Sequence, residues 1–237
     1  CDTALAIYPD NPITLYVKGK SFTDKKDYHQ ALLQFKKIVE IQPDFLSPHF
    51  DLAKLYLLMG DNDKAFKEYK KAAELDPKDA SVHLSIGNIY TGQGKNDEAL
   101  AEYKQVLALA PDSPVGYNEL AYIYAESETN LDQGLEYALK AAELAPRDAS
   151  ILDTLGWVYF KKGNFEKAIE NLKSSVELRP NSPTIRYHLG MAHYKNSDLN
   201  NALNEFNNSL AISERFNESS QSKEMIRLIE SQLIQTQ

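Results

Sequence analysis

Apolar positions along the chain recur with the 3.6-residue period of an amphipathic helix, and the stripes come in pairs. Leu52, Tyr56 and Met59 make one stripe, Ala65, Tyr69, Ala72 and Leu75 make the next, and Gly60-Asp61 divides them. The pattern predicts a helical hairpin. A helix of about 14 residues is marginal alone, and one hairpin cannot cover its own apolar face. Hairpins of this kind must therefore stack and share a continuous core.

The hairpins repeat. Pro9, Pro43, Pro77, Pro111, Pro146 and Pro180 are spaced 34, 34, 34, 35 and 34 residues apart. Proline lacks the amide hydrogen and clashes with the preceding turn, so each segment is stopped at the same phase. Pro12, Pro114 and Pro183 fall at the start of a period and Pro48 two residues later, in a first turn where the missing donor costs little. Aligned on the first six prolines, Gly19, Ala53, Gly87, Ala121, Gly156 and Gly190 form a column of small residues where two helices cross. Phe22, Tyr56, Tyr90, Tyr124, Tyr159 and His193 follow, then Ala31, Ala65, Ala99, Gly134, Ala168 and Ala202, then Phe35, Tyr69, Tyr103, Ala138, Leu172 and Phe206.

This small–aromatic–small–aromatic–proline order at 34 residues resembles the tetratricopeptide repeat over nearly the whole chain. The resemblance implies an all-α fold, a right-handed superhelical solenoid of antiparallel helix pairs. Six repeats are expected, at 12–45, 46–79, 80–113, 114–148, 149–182 and 183–216. Residues 1–11 match the closing half of a preceding second helix, with Ala4 and Ile7 in its apolar columns. Cys1 is then either a fragment boundary or the acylated first residue of a mature bacterial lipoprotein. Residues 217–237 leave the columns but carry Met225, Ile229 and Leu233 on one face, as expected of a polar capping helix.

Composition narrows the function classes. The 237 residues carry a net charge of −8 and no basic block, which argues against nucleic acid, and no run approaches a membrane span. One cysteine excludes an internal disulfide and leaves the compartment open between cytoplasm and a bacterial periplasm or envelope.

Candidate chemistry is sparse. Gly94-Lys95 is followed by asparagine and is not preceded by the glycine of a phosphate loop, so it reads as a repeat turn. His188 and His193 lie five apart, about 140° around a helix, which disfavours a shared metal. His49 and His83 take one packing position in adjacent repeats and read as core histidines. No nucleophile–base constellation or metal-ligand spacing is present, so no enzyme and no cofactor are expected.

The surface is the remaining candidate. By resemblance, first helices line the concave side. Helical geometry then places at the groove the row one residue after each packing stripe: Tyr16, Lys20 and Thr23; Phe50, Lys54 and Leu57; Leu84, Asn88 and Thr91; Asn118, Tyr122 and Ala125; Asp153, Trp157 and Phe160; Tyr187, Met191 and Tyr194. Aromatic residues and methionine with few charges mark binding surfaces. Co-chaperones of the family clamp a terminal carboxylate with Lys, Asn and Arg across three repeats. Lys54 and Asn88 are present here, but no Lys-Arg pair follows, and Asp51 and Glu119 intrude. The asparagine ladder of sugar-transferring relatives is absent, its positions being Val17, Asp51, Ser85, Glu119, Thr154 and His188.

The fourth repeat differs from the others. It has one inserted residue near Glu128 and seven acidic against two basic residues, and Glu119 and Glu126 share a helix face beside Tyr122. The reading is a non-catalytic scaffold that binds a peptide or helical segment of a protein partner in the groove. The alternatives are a self-assembling scaffold, forming a homo-oligomer, or an envelope-assembly lipoprotein-type factor.

Overall fold

A computed structural model of the chain describes residues 10–235, so the expectations for Cys1, Ala4 and Ile7 lie outside the described residues. The described residues are all-helical, with thirteen helices, and divide into two compact units, 10–110 and 111–235.

The first unit holds α1 (Pro12–Asp24), α2 (Tyr28–Ile41), α3 (Leu46–Leu58), α4 (Asn62–Leu75), α5 (Ala80–Gly92) and α6 (Asn96–Leu109). These pack as the hairpins α1–α2, α3–α4 and α5–α6. The second unit holds α7 (Pro114–Glu126), α8 (Leu131–Leu144), α9 (Ala149–Lys161), α10 (Phe165–Leu178), α11 (Pro183–Lys195), α12 (Leu199–Ile212) and α13 (Ser219–Gln235). Its hairpins are α7–α8, α9–α10 and α11–α12, with α13 packed on α12.

Local chemistry sets the helix ends. Asn11 accepts from the amides of Ile13 and Thr14 at 3.0 and 3.1 Å, and Asp148 from that of Ser150 at 2.8 Å, satisfying first-turn donors that no helical carbonyl can reach. Each hairpin then turns through one left-handed residue at a fixed phase. In the first unit these are Lys26, Gly60 and Gly94, and in the second Glu128, Gly163 and Ser197. The residue inserted in the fourth repeat is absorbed here, because Asn130 adds a second left-handed residue (φ 48°) just before α8.

Small residues let the paired helices cross closely. A methyl group added at Gly87 would sit 2.5 Å from the Tyr103 ring, and one at Gly156 would sit 2.6 Å from Leu172. The core of the first unit gathers Phe35, Ile38, Leu52, Tyr69 and Val82. In the second unit Ala121, Val158, Ala168 and Leu172 form one cluster, and Tyr187, Ala202, Phe206 and Ile229 form another. The last of these comes from α13, with Met225 and Leu233 beside it.

One packing position also carries a polar latch. The His49 ring on α3 meets Glu68 of α4 at 2.7 Å through Nδ1 and the Pro43 carbonyl at 2.8 Å through Nε2. His83 makes the same two contacts with Glu102 and the Pro77 carbonyl. Arg186 repeats them in the second unit, donating to the Pro180 carbonyl at 3.0 Å and to Glu205 at 2.7 Å.

Candidate functional site

The first helices of neighbouring repeats bring the row residues together, and the two units do so differently.

In the first unit the row is open. Lys20, Lys54, Leu57 and Asn88 are exposed, and Tyr16, Thr23, Phe50, Leu84 and Thr91 are half-buried. Asp51 ties α1 to α3, accepting from the Tyr16 hydroxyl at 2.8 Å and from Lys20 Nζ at 3.1 Å. Burial, followed by the Asp51 carboxylate, pushes the Tyr16 hydroxyl up to about 12. Lys54 stands 4.3 Å over the Phe50 ring, and Phe50 meets Tyr69 edge-on at 5.3 Å. Asn88 accepts from the Tyr103 hydroxyl at 2.8 Å. Tyr16, Leu46, Ser47, Phe50, Asp51 and Asp79 line a pocket of about 190 Å³.

In the second unit the row is partly closed over. Four residues expected on the open face are buried: Asn118 (8% exposed), Ala125 (0%), Trp157 (7%) and Tyr187 (9%). Ala125 is small enough to join the core, and Trp157 and Tyr187 are large enough to reach the helices that follow. Trp157 lies between Phe160 (4.6 Å, 5°) and His188 of α11 (4.1 Å, 20°), and its Nε1 donates to Glu126 of α7 at 2.6 Å. Tyr187 turns toward Phe206 at 5.8 Å and joins the α13 cluster. Tyr122, Phe160, Met191, Tyr194 and Glu119 remain half-buried, and Glu126 is exposed.

The polar groups of this face form a connected set. His188 Nδ1 contacts Asp153 at 2.8 Å; burial opposes its charge, but Asp153, Glu218 and Glu126 outweigh that and raise its pKa. Asn118 donates to Glu119 at 3.1 Å, and burial raises the Glu119 pKa despite that bond. The Tyr122 hydroxyl is pushed up to about 12, by burial first and then by Glu126, Glu218, Asp153 and Glu119 in that order. Glu218, which precedes α13, accepts from Thr184 at 3.1 Å.

Asp153 lay in the expected row, whereas the positions of His188 and Glu218 in this set were not foreseen. A signal for His188 existed. It lies 35 residues after Asp153, and Asp51 likewise lies 35 after Tyr16, so each side chain reaches one residue beyond the equivalent position of the preceding repeat. Glu218 stands outside the repeat register and offered none. A larger pocket of about 490 Å³, lined by Tyr117, Glu136, Tyr137, Leu139, Lys140 and Glu143, contains no row residue. Among the described residues no cluster of His, Cys, Asp and Glu could hold a metal ion, and no helix is long and apolar enough to cross a membrane.

The TPR repeat family model matches residues 56–94, 87–127 and 156–197, and a tetratricopeptide repeat model matches 13–45. The chain belongs to the tetratricopeptide-repeat proteins. Such proteins are in general scaffolds for protein–protein interaction and typically not enzymes. No curated protein matches the sequence. Among solved structures, a chain of the APC/C Cut9–Hcn1 hetero-tetramer superposes with a TM-score of 0.82 at 19% identity; the match covers 96% of this repeat protein and only 44% of that longer chain. PilF of Pseudomonas aeruginosa matches at TM-score 0.71 and 17% identity, over 90% of this chain and 96% of its own. YrrB, a TPR protein with an unusual peptide-binding site, matches at 0.56 and 20%, over 80% and 97%. At these identities the likeness carries the fold alone.

Proposed function

We propose that this tetratricopeptide-repeat protein is a non-catalytic scaffold whose first-helix faces bind an extended or helical segment of a protein partner. One observation carries the reading. In the first unit a row of two cations, an apolar residue and an amide, Lys20, Lys54, Leu57 and Asn88, stays exposed around the half-buried rings of Tyr16 and Phe50. Exposed positions beside rigid aromatics suit a segment laid across successive helices, where a few anchors supply most of the binding energy. YrrB supports the reading as a fold relative with a peptide-binding site. In the second unit Tyr122, Phe160, Met191 and Tyr194 are the corresponding contacts. Trp157 and Tyr187 act from behind, holding the surface in shape.

Selection of a random peptide display library against the whole protein tests this. Peptides should enrich whose binding falls at least fivefold in Lys54→Ala or Leu57→Ala variants that keep the parental melting point. A library that enriches nothing, or peptides indifferent to every row substitution, would overturn the reading. Mass by sedimentation across a concentration series separates binding a partner from binding a second copy.

A further inference from the structure

We infer that the first-helix face of the second unit receives a basic side chain, lysine or arginine, of the bound segment, seated beside Tyr122 between Glu119, Glu126, Asp153 and Glu218. The inference rests on the scaffold reading above and names the chemistry that this part of the surface selects.

Glu119 and Glu126 flank Tyr122 three residues before and four after it on α7, Trp157 stacked on His188 joins Glu126 to Asp153 of α9, and Glu218 is held at Thr184, one turn before His188 on α11. The partners of these four carboxylates within the fold are weak for such a concentration of charge. Glu126 accepts from an indole, Glu218 from a hydroxyl, Glu119 from an amide, and Asp153 meets His188. Among the described residues no lysine or arginine pairs with any of the four. Lys161, the single lysine of α9, stands 5.2 Å over the Trp157 ring and is engaged by Glu128 at 2.9 Å. One imidazole against four carboxylates leaves the face negative even when His188 is protonated.

A second, independent feature points the same way. Asn118 is nine-tenths buried, its amide nitrogen is committed to Glu119, and its oxygen Oδ1 has no donor among the described residues. Here an acceptor without a donor lies next to a desolvated carboxylate. The oxygen lacks an N–H donor, and the carboxylate has an amide but no cation. Lysine and arginine supply three and five such donors, and their apolar stems suit the half-buried surfaces of Tyr122 and Met191. Among the described residues no cluster is close enough to hold a metal ion, which favours a long side chain over a compact inorganic cation.

The single tryptophan provides the readout, since the protein has one indole N–H resonance and Trp157 donates it to Glu126. Titration of the whole protein with N-acetyl-arginine methylamide should shift this resonance saturably. N-acetyl-citrulline methylamide, of similar shape without the charge, should bind at least tenfold more weakly. Glu119→Gln should weaken the arginine probe at least threefold without lowering the melting point, because it removes a buried carboxylate; Glu218→Gln should weaken it likewise. Equal response to both probes, no saturable response, or undiminished binding in both variants would overturn the inference. Its failure is distinguishable from failure of the scaffold reading: display peptides that depend on the first unit's row but carry no basic residue would sink the basic seat alone.

Discussion

His49 donates from one ring nitrogen to a carboxylate and from the other to a carbonyl, and both contacts are satisfied only when both nitrogens carry a proton. The Glu68 hydrogen bond is the main cause of its raised pKa, with burial opposing. A histidine whose folded pKa lies above the unfolded value of about 6.5 stabilises the fold fully below that pH. The contribution is lost as pH rises through the folded pKa. Stability against urea should therefore fall from about pH 6.5 upward, by on the order of 1 kcal/mol for this charge-assisted contact. Arg186 makes the same pair of contacts with a charge that does not titrate. His49→Arg should flatten the slope in that window, and a variant with the parental pH profile would show that the latch does not titrate. Trp157 gives the other lesson at this scale. Its column was readable from the repeat, but its burial was not, because stacking between Phe160 and His188 depends on the neighbouring repeat's helix.

Each hairpin depends on one left-handed residue, and here the sequence has used glycine only in part. Lys26 (φ 60°) and Ser197 (φ 62°) take the position that Gly60, Gly94 and Gly163 fill elsewhere. A side chain in this conformation costs roughly 1–2 kcal/mol, offset in part by the entropy that glycine adds to the unfolded chain. Lys26→Gly and Ser197→Gly should each raise stability by about 0.5 kcal/mol. Gly163→Ala, which meets no atom within 4 Å, should lower it by about 1 kcal/mol through backbone strain alone. Chemical denaturation midpoints check both signs, and a destabilised Ser197→Gly would mean that its side chain matters more than its φ. Helix positions were legible because the spacing of the prolines and the apolar period agree from repeat to repeat. The turn of the fourth repeat was legible only as an insertion near Glu128. That it would be absorbed by a second left-handed residue, Asn130, follows from the need of α8 to keep its face on α7.

At the scale of the molecule, stability in a repeat array is a sum of contacts between neighbours, so an end without a neighbour needs another cover. In the second unit α13 supplies it, with Ile229 fully buried against Tyr187, Ala202 and Phe206. Ile229→Ala should cost about 3 kcal/mol, within the range for buried aliphatic truncations. Hydrogen exchange should show α11 and α12 losing protection first, since they border the cavity. Unchanged protection there would make α13 a detachable tail.

The array, its period and its helix pairs were written in the sequence. Each rests on local periodicity, on proline and on residue size, which repeat in register and need no knowledge of distant contacts. Tertiary structure alone decided which of the row's residues stay open. Lys54 and Trp157 stand in equivalent columns of their repeats, but the long lysine side chain keeps its charged end in water, whereas the indole finds Phe160, His188 and Glu126 within reach and is buried among them. The gathering of Glu218 with Glu119, Glu126 and Asp153 was likewise beyond the sequence, because a residue outside the repeat has no column, and its place is set by how α13 packs on the last hairpin.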